Sequence, residues 1–152
     1  MGCKYPNLEQ EIRQSGVSLH TLAEHANVTQ EIMQDVLRGT DTLTIEEAGG
    51  LYRLFASYSI PNDSYSFQYL FSQTLTMAAP NQREQLLQVA DTHLPQIRGR
   101  EREVEAIKAS IERIRICPVI PYAQYRHLMF DINLLHAVTR EKTVRSKHLE
   151  EI

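Results

Sequence analysis

Residues that start and end helices alternate at short intervals along this chain, and this spacing limits the elements of its first half to a few turns each. Ser18 and Thr29 precede segments of helical apolar spacing, as N-caps do, and Gly16 and Gly39 stand where such segments end. Alternation of apolar and polar residues rich in β-branched side chains is nowhere sustained over five residues. The sequence therefore predicts an all-α fold.

The first half of the chain is predicted to hold a series of short helices. Their expected bounds are about Pro6 to Gly16, Leu19 to His25, Gln30 to Leu37, Thr44 to about Ser57, and Tyr65 to Leu75. Adjacent glycines at 49 and 50 conflict with the fourth helix, because a glycine inside a helix costs about 1 kcal/mol relative to alanine. Either a neighbouring helix approaches closely there or the helix bends.

A polar break with Pro80, near residues 76–81, marks the expected boundary between a domain at 1–75 and a helical domain at 80–152. Beyond it, Asn81 with Glu84 forms a cap pattern, and a last helix is expected from about Tyr122 to Arg140. Between them, an apolar stripe repeats at 3, 4, 3 spacing, formed by Val104, Ile107, Ile111 and Ile114.

This stripe has two interpretations, the seam of a dimer or the inner face of a hairpin with the last helix. Two heptads are too short for a stable free coiled coil, since short helices are marginal in water. We favour packing within the chain, with dimerisation or partner binding on the outer surface of the same helices.

Charge is distributed unevenly along the chain. Residues 1–70 carry four basic and nine acidic side chains, whereas residues 71–152 carry twelve basic and ten acidic ones. Most of the later charge lies in two runs, Arg98 to Arg115 and Arg140 to Glu151. Binding of nucleic acid by the first half therefore needs support from elsewhere, because its own cations are few.

The most specific pattern in the sequence is the run from Ser18 to Gly39, SLHTLAEHANVTQEIMQDVLRG. In it a small residue permits two helices to cross closely, a turn residue follows, and valine fills the space between the helices. The residues at these places are Leu22-Ala23, Ala26, Asn27, Val28, Thr29 and Arg38-Gly39. The pattern resembles the helix-turn-helix of the Cro/repressor-like, or XRE, family, and the resemblance covers about residues 6–71.

This resemblance implies a five-helix, lambda-repressor-like domain that regulates transcription by binding double-stranded DNA as a homodimer at an inverted-repeat operator. The third helix, about residues 30–37, would lie in the major groove. The implied DNA-binding residues are Ser18, His20, Thr29, Gln30, Glu31, Gln34, Asp35 and Arg38. The amides of Gln30 and Gln34 can pair bidentately with adenine, whereas the carboxylates of Glu31 and Asp35 repel phosphates.

The alternative is that the same scaffold serves as an acidic protein–protein interaction module that does not bind DNA. A regulator that does both, like an antitoxin, is a further alternative. The arginines of the later half discriminate between them: arginines beside the third helix favour DNA, and arginines paired with glutamates of their own helix do not. The spacing of these residues favours self-pairing.

Enzymatic function is not indicated. His20 and His25 are five positions apart, about 140° around a helix, which is unsuited to a shared zinc. The sequence contains neither a glycine-rich phosphate loop nor a G-x-S-x-G motif, and no cofactor is implied. No apolar run approaches the length of a membrane span, and we expect a cytoplasmic protein.

Overall fold

The computed structural model of the chain describes residues 3–61 and 63–150, with side chains described as far as Thr139. Its helices are α1 (Pro6–Ser15), α2 (Leu19–Ala26), α3 (Gln30–Arg38), α4 (Ile45–Ala56), α5 (Phe67–Leu70), α6 (Pro80–His93), a 3-10 turn (Leu94–Gln96), α7 (Glu101–Arg115) and α8 (Tyr122–Glu150). No strand is present within these described ranges, which confirms the all-α class. Among the described helices, none is both long and apolar enough to cross a membrane.

Helix boundaries in the first half follow the local signals of the sequence. α1 begins at Pro6 and is ended by Gly16, which adopts the left-handed conformation at φ 71°. α4 opens with a complete capping box: the Glu47 amide donates to Thr44 Oγ1 (3.2 Å), and the Thr44 amide donates to Glu47 Oε1 (3.0 Å). These predicted ends are confirmed.

The chain forms two compact units, each made of two segments. The first comprises residues 1–77 and 121–127, and the second comprises residues 78–120 and 128–152. The return of residues 121–127 to the first unit is not predicted by the sequence. Within that unit, the Tyr122 amide donates to the Thr76 carbonyl (2.9 Å), and Met77 forms an isolated antiparallel bridge with Pro121.

In the first unit, α2 packs against both α3 and α4, and α5 contacts α1 and α4. The contact between α2 and α4 explains one of the two adjacent glycines of α4. A Cβ atom on Gly50 would lie 1.8 Å from the His25 carbonyl oxygen, whereas one on Gly49 would meet only the end of the Arg53 side chain at 3.5 Å. Gly50 therefore permits the backbones of α2 and α4 to approach closely. Their shared core includes the fully buried Leu22, Leu51 and Phe55.

The fifth helix is much shorter than expected. It spans only Phe67–Leu70, and not Tyr65 to Leu75, although Ser66 caps it as a good N-cap does. The buried side chain of Asn7 explains the early end. Its amide nitrogen donates to the carbonyls of Tyr69 (2.7 Å) and Thr74 (3.1 Å), and its Oδ1 accepts from the Thr76 amide (2.7 Å). The Tyr69 carbonyl is thus occupied by a side chain where a longer helix would use it internally.

In the second unit, α6 packs against the 3-10 turn and α7. The stripe of Val104, Ile107, Ile111 and Ile114 is buried within this single chain. The last carbonyls of α7 are satisfied by Arg83, whose guanidinium donates to the oxygens of Ile114 (2.8 Å) and Arg115 (3.2 Å).

The predicted start of one helix in this half was wrong. α6 begins at Pro80 and not after Asn81, because proline suits the first helical position and the Ala79 amide donates to Gln82 Oε1 (2.8 Å). α8 continues to Glu150, well past Arg140. The basic run from Arg140 to Glu151 lies outside the residues whose side chains the structure describes.

Candidate nucleic-acid interface

A tight turn fixes α3 relative to α2. Asn27 adopts the left-handed conformation at φ 59°, and its amide donates to carbonyls at the end of α2. The Val28 amide donates to the Ala23 carbonyl (3.0 Å), and Thr29 then caps α3 by accepting from the Ile32 amide (3.1 Å). Because each residue of the turn has a fixed backbone role, α3 is presented in one orientation.

One side of α3 is buried and the other faces solvent. Met33 and Val36 are fully buried, and Asp35 is half-buried. The exposed side chains are those of the cap residue and of the outer face of the helix: Thr29, Gln30, Glu31, Ile32, Gln34 and Arg38. Seven of the eight sequence-predicted site residues are therefore exposed, since Ser18 and His20 at the start of α2 are exposed as well.

The beginnings of α2 and α3 are linked by side chains. His20 Nδ1 lies 3.2 Å from Gln30 Nε2, and His20 Nε2 lies 3.1 Å from Glu24 Oε1. Ser18 caps α2 by accepting from the Thr21 amide (3.1 Å). Glu24 thus joins this surface, although sequence analysis does not assign it a role there.

The electrostatic character of this surface is acidic. Residues 18–41 contain four carboxylates, Glu24, Glu31, Asp35 and Asp41, and one guanidinium, Arg38. The formal charge of the segment is therefore −3 with histidines neutral. A phosphate backbone meets net repulsion here unless cations from another region or another molecule contribute.

Arginines of the second unit are engaged locally. Arg100 lies 3.8 Å from Glu103, and Arg115 lies 3.2 Å from Glu112 and also pairs with Asp91 on α6. Arg98 donates to the carbonyls of Pro95 and Ile97. The self-pairing in and next to α7 that the spacing favours is confirmed by Arg100–Glu103, Lys108–Glu105 and Arg115–Glu112, whereas the described contacts of Arg98 are with backbone carbonyls.

A buried arginine of the first unit, which sequence analysis missed, has several polar partners. Arg126 of α8 is 0% exposed, and its guanidinium donates to Glu11 Oε1 (2.6 Å), Asp63 Oδ2 (2.9 Å) and the Phe55 carbonyl (2.8 Å). The guanidinium carbon also lies 4.1 Å from the centre of the Tyr65 ring. Its three donor nitrogens are therefore all used, which is what a buried arginine requires.

Further polar groups complete this buried cluster. Glu11, itself 0% exposed, lies 3.2 Å from both the Tyr69 hydroxyl and His127 Nε2. Tyr122 donates to Asp63 and accepts from the Ser64 amide. Burial is the main cause that raises the pKa of Tyr69, followed by the negative charge of Glu11, and burial likewise raises the pKa of Tyr65 and Tyr122. The cluster joins α1 and the segment before α5 to the start of α8, and so has a structural role.

Sequence reasoning missed this cluster because its contacts span 58 to 116 positions. A usable signal existed in α1, where Glu11 follows Leu8 by three positions and so falls on the apolar side of that helix. A carboxylate on such a face indicates a buried cation elsewhere in the chain.

Within the part of the chain that the structure describes, no three His, Cys, Asp or Glu residues are grouped so that they could hold a metal ion. No family model, no curated protein and no solved structure matches the chain.

Proposed function

We propose that the first unit is an XRE-like, lambda-repressor-like DNA-binding domain of a cytoplasmic transcriptional regulator, with α3 as its recognition helix. This proposal rests on one observation, which is how α3 is held by its caps and exposed to solvent. The helix is capped by Thr29 and held by the left-handed Asn27, and it turns Gln30 and Gln34 to solvent on one face. This is the arrangement that a helix-turn-helix needs to place side chains against base edges.

The exposed side chains supply suitable chemistry for base reading. The amide of a glutamine donates one hydrogen bond and accepts another, and so pairs bidentately with adenine. Gln30 and Gln34 are four positions apart and thus occupy the same face of α3. The start of α2, capped by Ser18, is oriented as a site for one phosphate, because helix N-termini attract anions.

A dimer accounts for binding by a domain with so few cations. Two copies on an inverted repeat place their recognition helices about 34 Å apart, one turn of DNA, and double the number of contacts. The outer surface of the second unit offers the place for dimerisation or for a protein partner, as the sequence analysis expects.

The decisive test is selection from a random-sequence duplex library by the whole protein at about 50 and about 200 mM salt. We expect enrichment of an inverted repeat and weaker binding at the higher salt. The double variant Gln30→Ala, Gln34→Ala should lose the sequence preference, whereas Gln73→Ala, an exposed glutamine outside α2 and α3, should retain it. Failure to enrich any sequence at either salt concentration overturns the proposal.

A second function, an acidic module that binds a basic protein, is favoured by one specific observation. Residues 18–41 carry a formal charge of −3, and Arg100 and Arg115 are paired with glutamates of their own unit. This function predicts binding of a lysine-rich peptide, measured calorimetrically, that is lost in the double variant Glu31→Gln, Asp35→Asn. The same variant should bind DNA more tightly if the first proposal is correct.

A further inference from the structure

We infer that Glu24 and His20 form a relay that sets the orientation of the Gln30 amide and thereby the base that Gln30 prefers. This inference rests on the proposed function, because it names a specificity determinant of the same surface. The relay consists of two contacts in series: Glu24 Oε1 to His20 Nε2 at 3.1 Å, and His20 Nδ1 to Gln30 Nε2 at 3.2 Å.

The first contact determines which imidazole nitrogen carries the proton. Glu24 Oε1 lies 3.1 Å from His20 Nε2, and a negative charge so close favours the tautomer in which Nε2 carries the hydrogen. In a neutral imidazole the other nitrogen, Nδ1, is then a bare acceptor. Glu24 is therefore a positioning residue that selects one tautomer of His20.

The second contact determines how the Gln30 amide is turned. An unprotonated Nδ1 accepts a hydrogen bond, and Gln30 Nε2 lies 3.2 Å from it as the donor. When the contact takes the amide hydrogen that points away from the amide oxygen, the oxygen and the other hydrogen are left side by side. That remaining pair is the edge that binds adenine bidentately.

Reversing the tautomer should reverse the amide. A lysine at position 24 donates to Nε2, so the hydrogen moves to Nδ1, which then requires the Gln30 oxygen as its acceptor. Donor and acceptor exchange places on the outward edge of Gln30. The edge then no longer matches adenine in the same register, and the base preference at that position must change.

These contacts lie on an exposed surface, which makes the relay testable without loss of the fold. The His20 and Glu24 side chains are both 65% exposed, and exposed pairs of this kind contribute little to stability. Substitutions at either position are therefore expected to leave the helical content unchanged.

The first measurement examines the relay in the absence of DNA. Long-range proton–nitrogen NMR correlations of the whole protein at about pH 8, where histidine side chains are generally neutral, report which ring nitrogen carries the hydrogen. We expect the Nε2-protonated form of His20 in the natural sequence and a shift towards the Nδ1-protonated form in Glu24→Lys. The same tautomer in both proteins overturns the inference.

The second measurement is duplex selection with three proteins: the natural sequence, Glu24→Lys, and Glu46→Lys, which makes the same charge change at an exposed position on α4. The position read by Gln30 is identified as the one whose preference disappears in Gln30→Ala. We expect at least a tenfold change in base preference at that position in Glu24→Lys and none in Glu46→Lys. An enriched operator with the same base in both variants overturns the inference alone, whereas no enrichment by the natural sequence overturns the proposed function and this inference with it.

Discussion

Arg126 and Glu11, 115 positions apart, form an ion pair of 2.6 Å in which both side chains are completely buried. The pair joins the first helix of the chain to the first turns of the last. Its orientation is fixed further by Asp63 and by the Phe55 carbonyl. Because neither charge reaches solvent, each depends on the other, and the start of α8 is a required part of the first unit.

Replacing Arg126 by methionine should therefore destabilise the protein strongly. The substitution conserves much of the apolar volume but leaves the buried Glu11 without its cation, which typically costs about 3–5 kcal/mol, and also removes the partner of the half-buried Asp63. Urea unfolding followed by circular dichroism measures the change in the free energy of unfolding. The exposed Arg113 of α7, replaced in the same way, should change it by less than about 0.5 kcal/mol. Equal effects of the two substitutions would contradict the structural role of the cluster.

Alkaline pH should unfold the first unit. The pKa values of Tyr65, Tyr69 and Tyr122 are raised above their ordinary value of 10.0, mainly by burial. The folded state therefore holds these phenolic protons more tightly than the unfolded state does, so stability is full below pH 10 and falls as pH rises further. Tyrosinate absorbance and helical circular dichroism, recorded together, should change in one steep step. Gradual ionisation of the tyrosines without loss of helix would contradict the predicted coupling of their ionisation to unfolding. In Tyr69→Phe the fall of stability with pH should be shallower.

Much of the fold could be predicted from local signals. The caps at Ser18, Thr29 and Thr44 follow directly from residue types and their spacing, because each cap depends only on a side chain and an amide a few positions away. The end of α5 could not be predicted from local signals. Its apolar pattern continues to Leu75, but a side chain from α1, Asn7, occupies its carbonyl and ends it after Leu70. A contact across 62 positions has no local signature.

The candidate interface, too, could be predicted only in part. The exposed residues of α3 were predictable because a helical period separates them from the buried Met33 and Val36. The Glu24–His20–Gln30 relay was not predicted, since it depends on the angle between α2 and α3, which the turn at Asn27 sets in three dimensions. The charges were visible in the sequence, but their pairing within α7 needed coordinates.

Reversing the charge of Glu31 should distinguish repulsion from base reading. If this carboxylate only repels phosphates, Glu31→Lys should tighten DNA binding by about tenfold and make the slope of log affinity against log salt more negative by about one. If Glu31 accepts from a cytosine, the substitution should instead weaken binding to the selected operator. Titration of labelled operator at several salt concentrations measures both quantities. Glu46→Lys, with the same charge change outside α3, is the control and should show a smaller effect.

The two glycines of α4 offer a matched pair of substitutions with opposite outcomes. In Gly50→Ala the new Cβ would lie 1.8 Å from the His25 carbonyl oxygen, so α2 must move away from α4, at a cost of at least about 1–3 kcal/mol. In Gly49→Ala the Cβ meets only the flexible end of Arg53, and the better helix propensity of alanine should stabilise the protein by up to about 1 kcal/mol. Thermal unfolding of both variants beside the natural sequence checks the signs. Because α2 also carries the start of the candidate interface, Gly50→Ala should weaken operator binding while Gly49→Ala leaves it unchanged. Similar melting temperatures for the two variants would mean that the close approach of α2 and α4 is not required.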